Sequence, residues 1–265
     1  MRRIGLVIEY DGTDFAGWQT QSNANTVQAE IEKNLLKITG ERIVIHGSGR
    51  TDSGVHALGQ VAHFDTNARM SAEKFAPALN AGLPFSIRIH QSFEAPEDFH
   101  ARFSAKKKHY RYTIENQAIP SAIGRQYRYH VYGHLDVHAM QEAAKKILGT
   151  HNFASFTSKK CPLTNTVRTI SHSGLCQQDH VLVFDIIGSG FLYHMVRIMV
   201  GTLLEIGKGR HAPSYISYLL ENPEKTFHAG DTAPAHGLTL IRVDYPDMKI
   251  EQTNPHSTLD FHSMI

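Results

Sequence analysis

The sequence predicts an α+β fold of two ferredoxin-like (RRM-like) halves related by pseudo-symmetry, each built on largely antiparallel sheet. Three observations predict it. The first hundred residues pattern as β-α-β-β-α-β, the split-βαβ arrangement. A similar plan follows after about Ser104, without sequence repetition. At 265 residues, with 41% hydrophobic and 20% charged residues, the chain has the length and composition for two small globular domains.

The elements follow in order. Ile4, Leu6, Ile8 and Tyr10 alternate as a strand. Asn25 or Thr26 caps a helix whose apolar face is Val27, Ile31, Leu35 and Ile38, and Gly40 stops it. Strands are expected over 43–46 and 60–64, on either side of a Gly-rich loop. Ser71 is expected to cap a second helix with Phe75 and Leu79 inward, and a strand over 86–93 closes the first half. The second half has strands near 109–115 and 126–131. A helix from Asp136 then presents Met140, Ala144, Ile147 and Leu148 and ends at Gly149. Strands near 167–172 and 181–187, a long helix over 191–206, a short one over 213–220 and a last strand over 238–243 complete it. The expected division is an N-terminal domain over 1–104, a C-terminal domain over 105–246 and a tail over 247–265.

Charge and composition narrow the function classes. The net charge is only +2, and no leader pattern follows Met1-Arg2-Arg3. The longest apolar run, 191–206, carries His194, Arg197 and Glu205 and does not suit a membrane span. Two cysteines make no disulfide framework, which fits a reducing cytoplasm. The distribution of charge is more telling. The run FHARFSAKKKHYRYTI carries Arg102, Lys106, Lys107, Lys108 and Arg111 with no acid. Arg125 and Arg128 stand among Tyr127, Tyr129 and Tyr132. Cations neutralise phosphates and aromatic faces stack on bases, so these runs point to RNA. Strand alternation puts Tyr110 and Tyr112 on one face and Arg111 on the other.

The run GSGRTDSGVH, from Gly47 to His56, is the candidate site. Three glycines free its backbone, and small hydroxyl residues flank a single acid, Asp52, two positions after Arg50. It lacks the lysine of a phosphate-binding loop. By composition alone it reads equally as a capped turn or as a corner holding one carboxylate in the open.

The chain resembles the bacterial TruA-type tRNA pseudouridine synthases. YDGTDFAGWQTQ, GSGRTDSGVHALGQVAHF, FHARFSAKKKHYRY, GSGFLYHMVRIMVG and APAHGLTL occur in the family's order between about Arg3 and Pro246. The resemblance implies two α+β domains with an active-site cleft between them. It implies isomerisation of uridine to pseudouridine in the anticodon arm of tRNA, at positions 38, 39 and 40, by a cytoplasmic homodimer. It makes Asp52 the catalytic aspartate, by attack on the ribose carbon, by assisting its departure as a glycal or by addition to the ring, and it makes Arg197 the charge partner. Tyr110 stacks on the uracil and its hydroxyl takes the proton from carbon 5. Leu240 packs on the flipped base, Arg50 takes part in flipping or contacts a phosphate, and Lys108 and Arg111, with Lys159 and Lys160, are candidates to line the RNA groove. No atoms are gained or lost, so neither cofactor nor metal is implied. Ser155-Phe156-Thr157 and Tyr193 depart from the family pattern and bear on RNA docking. Two rival classes are a pure RNA-binding module and a metal-dependent hydrolase. The 18 histidines that prompt the second are scattered, with no convincing ligand spacing.

Overall fold

A computed structural model describes residues 1–157, 165–223 and 229–246. In chain order the elements are β1 (Arg2–Tyr10), α1 (Val27–Thr39), β2 (His46–Gly47), β3 (His56–Thr66), α2 (Phe75–Asn80), β4 (Ile87–Ala95), β5 (Lys107–Asn116), β6 (Tyr129–Val131), α3 (Val137–Lys145), β7 (Gly149–Asn152), β8 (Val167–Gln178), β9 (Val181–Gly188), α4 (Met195–Gly207), α5 (Tyr215–Glu221) and β10 (Leu238–Asp244). They form two compact units, Met1–Lys106 with the described residues from Thr239 onward, and Lys107–Leu238. Lys159, Lys160 and the expected tail over 247–265 lie outside the described residues.

In the first unit β1 is central. It runs antiparallel to β3 (Ile4 opposite Phe64) and to β4 (Gly5 opposite Phe93). The far edge of β3 is shared: β2 pairs antiparallel at its end (His46 opposite His63), and β10 pairs parallel at its start (Leu240 opposite Ala57). Ile4, Leu6, Ile8 and Tyr10 are all buried, as their alternation predicts. The Thr26 side chain accepts from the Ala29 N–H at 3.3 Å and begins α1, and Gly40, in the left-handed region at φ 74°, ends it.

Two local expectations fail for identifiable reasons. No strand forms over 43–45. The Ile45 N–H donates to the Glu32 carboxylate at 3.0 Å and its carbonyl accepts from the Gln28 amide at 3.3 Å. Side chains of α1 therefore satisfy the backbone groups a ladder would use. Ser71 precedes a 3-10 turn, Ala72–Lys74, rather than α2 itself, and makes no side-chain cap bond to it.

In the second unit the sheet order is β5-β9-β8-β7, antiparallel throughout. β6 pairs parallel with β5, Ile114 opposite Tyr129. The strand expected over 126–131 is half of that length. Arg125–Tyr127 is a 3-10 turn, and only Tyr129–Val131 pairs. Asp136 caps α3 by accepting the Ala139 N–H at 2.9 Å. α4 is apolar on almost every side and is accordingly a core helix. It begins at Met195 rather than near 191, because His194 takes a left-handed φ of 61°.

Candidate active site

The Asp52 loop leaves β2 and enters β3, and the YDGTDFAGWQTQ segment lies beneath it. At its entry the Ser48 N–H donates to the Val61 carbonyl at 2.7 Å. The Ser48 hydroxyl donates to the Gln60 Oε1 at 2.5 Å, and the Gln60 Nε2 donates to the Gly49 carbonyl at 3.0 Å. In the middle, the Thr51 carbonyl accepts from the Trp18 N–H at 3.2 Å, and the Thr51 and Tyr10 hydroxyls lie 2.8 Å apart. At the apex the Val55 N–H returns to the Asp52 carbonyl at 3.2 Å, a turn that Gly54 permits with φ 77°. The Ser53 hydroxyl and the Gly54 N–H both donate to the Phe15 carbonyl. At the exit His56 Nδ1 accepts from the Gly12 N–H at 3.0 Å.

This bed requires bare backbone. A Cβ on Gly12 would lie 2.0 Å from the Val55 carbonyl oxygen, and one on Gly47 would lie 2.6 Å from the Trp18 ring. Rigid packing below thus leaves Asp52 half-buried and Arg50 exposed at the top of the loop. Leu240 is almost fully buried on β10, where it pairs with Ala57, one residue past the loop's exit. The structure therefore brings Asp52, Arg50 and Leu240 to one end of β3.

The other candidates belong to the second unit. Tyr110 and Tyr112 are buried on one face of β5, with Tyr110 edge-on to Phe191 at 5.2 Å. On the opposite face Arg111 makes a bidentate pair with Asp185, both N–O distances 3.0 Å, and His109 reaches the same carboxylate at 2.7 Å. Burial pushes the Asp185 carboxyl up, but the bonds from His109 and Arg111 outweigh it and hold it below the usual range. Lys108 is half-buried on the tyrosine face. Arg197, half-buried on α4, donates from Nε to the Ala233 carbonyl at 2.7 Å, while its own carbonyl accepts from the Ala233 N–H at 3.2 Å. Next to it the Tyr112 hydroxyl donates to the Pro234 carbonyl at 2.8 Å, and Gly237 leaves room for the Tyr112 ring. Lower on α4, a Cβ on Gly201 would lie 1.8 Å from the Asp231 carbonyl oxygen. The segment 229–237 is thus seated on α4 and β5.

Sequence reasoning did not find the supports: Tyr10, Gly12, Gly17 and Gln60 under the loop, and Tyr112 and Ala233 beside Arg197. The two glycines of YDGTDFAGW were the available signal. Among the described residues no three His, Cys, Asp or Glu side chains are grouped to hold a metal ion, and no helix is long and apolar enough to cross a membrane.

Asp52 is thus a half-buried carboxylate on a corner braced from below. The family model described as tRNA pseudouridine synthase matches residues 6–104 and 143–246. A tRNA pseudouridine synthase A of Acetivibrio thermocellus is 49% identical over 245 residues, covering 92% of this chain and all of the relative. That of Halalkalibacterium halodurans is 47% identical over 259 residues, covering 96% of this chain and 98% of the relative. The chain belongs to the tRNA pseudouridine synthase family, and it is an isomerase that turns uridine into pseudouridine in tRNA. Among solved structures, an archaeal box H/ACA sRNP Nop10–Cbf5 complex aligns with a TM-score of 0.33 at 10% identity, over 76% of this chain and 44% of that one, too slight a likeness to bear on the fold.

Proposed function

We propose that the isomerisation takes place in the anticodon arm, at tRNA positions 38, 39 and 40, with Asp52 as the nucleophile and the target uridine flipped out of its stem. One observation carries this reading. Asp52 is the acid at the apex of a loop that is hydrogen-bonded at its entry, middle, apex and exit, the preorganisation a catalytic carboxylate needs. The bond from ribose C1′ to N1 breaks, the uracil turns, and a bond from C1′ to C5 forms. One proton leaves C5 and one is taken up at N1, so nothing is consumed. A carboxylate divides this into two easier substitutions. A stacked base is out of reach, and flipping costs a few kcal/mol.

The remaining roles belong to the same reading. Arg197 keeps Asp52 ionised when the bound base excludes water. Tyr110 stacks on the uracil and takes the C5 proton. Leu240 packs on the base, Arg50 takes its place in the stem, and Lys108 and Arg111 contact the RNA backbone. The pseudo-symmetric two-domain division with its cleft, the homodimer and the cytoplasmic setting also rest on the resemblance.

The test is Asp52→Ala, assayed by tritium release from carbon 5 of labelled uridine in tRNA and by tRNA binding. Binding within two-fold of the parent and no detectable release is expected. Substantial release by this variant overturns the nucleophile. Mapping the converted positions in tRNA from cells lacking and regaining the chain tests the anticodon assignment.

A further inference from the structure

We propose that the Tyr10 hydroxyl is a positioning group for the reaction, fixing through Thr51 Oγ1 the peptide that carries Asp52. The inference deepens the reading of Asp52 as the reacting carboxylate and rests on it.

The observation is a cluster of buried polar groups under the loop. Ser48 and Gln60 are fully buried, Tyr10 is 2% exposed and Thr51 8%. The Gly49 carbonyl can only accept, so it orients the Gln60 amide with nitrogen toward Gly49 and oxygen toward Ser48. The Ser48 hydroxyl is therefore the donor of that pair. The Tyr10 hydroxyl pairs with Thr51 Oγ1, 2.8 Å away. Burial pushes the Tyr10 phenol well above its usual range, so it keeps its proton and is no acid–base catalyst.

Both sets of bonds, Ser48–Gln60–Gly49 and Tyr10–Thr51, end on the loop. Gly49 and Thr51 flank Arg50, and Thr51 is bonded directly to Asp52. The Tyr10 ring is itself held, tilted against Trp18 with centroids 6.0 Å apart, and the Trp18 N–H holds the Thr51 carbonyl. β1 thus grips Thr51 by its hydroxyl and the following segment grips it by its backbone. Satisfied buried networks of this kind are rigid, and a displacement of about 1 Å at a reacting group can cost about a hundred-fold in rate.

The experiment measures the single-turnover rate constant and the tRNA dissociation constant for Tyr10→Phe, Thr51→Val, Thr51→Ser and the Tyr10→Phe/Thr51→Val double variant. Tyr10→Phe and Thr51→Val are each expected to slow turnover about ten-fold, with tRNA affinity within two-fold of the parent. Thr51→Ser, which keeps the hydroxyl, is expected to run near the parent rate. The double variant is expected to be no slower than the slower single one. Parent-like turnover in folded Tyr10→Phe overturns the proposal. So does a Thr51→Ser as slow as Thr51→Val, or losses that multiply in the double variant. If Tyr10→Phe does not fold, the Ser–Val contrast at Thr51 decides. Asp52→Ala is run alongside. Turnover by that variant refutes the role of Asp52, whereas a dead Asp52→Ala beside a fully active Tyr10→Phe refutes only the positioning role.

Discussion

The α-carbon of Gly17 lies against the carbonyl of Thr51, so close that a Cβ there would stand 2.5 Å from the oxygen. Gly17 also has φ 93°, a region that other residues enter only under strain. The two constraints coincide because the Trp18 N–H must reach the same Thr51 carbonyl. Gly17→Ala is therefore expected to destabilise the chain by about 3 kcal/mol and to slow turnover in whatever remains folded. Denaturant unfolding and a single-turnover assay check the two effects separately.

Tyr110 is already packed edge-on to Phe191, so removing its hydroxyl leaves the ring in place. Tyr110→Phe is expected to bind tRNA as the parent does and to lose at least a hundred-fold in tritium release from carbon 5. Full turnover would leave stacking as its only part in the reaction.

Arg197 holds Ala233 through Nε, an atom lysine lacks. Arg197→Ala is expected to abolish turnover in a folded protein. Arg197→Lys keeps a charge but not the fork, and a loss of more than ten-fold is expected. Circular dichroism and active-site kinetics separate a folding defect from a chemical one.

Arg111 and His109 together hold Asp185 ionised below its usual range. A carboxyl held down in the native state adds stability above its unfolded pKa and loses it as the pH falls toward the native one. Arg111→Ala removes two charge-assisted bonds and should cost about 2 kcal/mol at neutral pH, less in acid. An equal loss of tRNA affinity at matched folded concentration would show that the arginine serves RNA as well as the sheet.

His63 gives a second acid-sensitive point. Burial lowers its pKa to about 4, and the nearby His100, Arg3 and His46 push the same way. Its Nδ1 accepts the Ala101 N–H at 3.2 Å, which needs the unprotonated nitrogen. The unfolded chain takes up this proton near pH 6.5 and the folded one only near 4, so stability is full above about 6.5 and declines as the pH falls through that window. His63→Gln should flatten that part of a urea-midpoint profile.

Much of the fold was legible where local chemistry and packing agree. Thr26 and Gly40 bracket α1, Asp136 opens α3, and the alternating Ile4, Leu6, Ile8 and Tyr10 of β1 are all buried. Legibility ended where the backbone finds partners off the ladder. Glu32 and Gln28 take the hydrogen bonds of Ile45, and no strand propensity reports that. β7 carries the residues Gly-Thr-His-Asn, with no apolar alternation, and exists because β8 offers an edge. The glycines and single acid of the Asp52 loop marked it as a tight corner, equally a capped turn or a mount for a carboxylate. Its supports went unmarked, since Tyr10 and Gln60 read as ordinary strand residues until the fold places their polar ends under the loop.

The reciprocal bonds between Arg197 and Ala233 carry a consequence for how the chain tolerates change. A guanidinium clasped this way travels with the backbone it holds, so 229–237 behaves as part of the arginine's mounting. Lengthening that stretch by a single residue would move a charge that no substitution had touched.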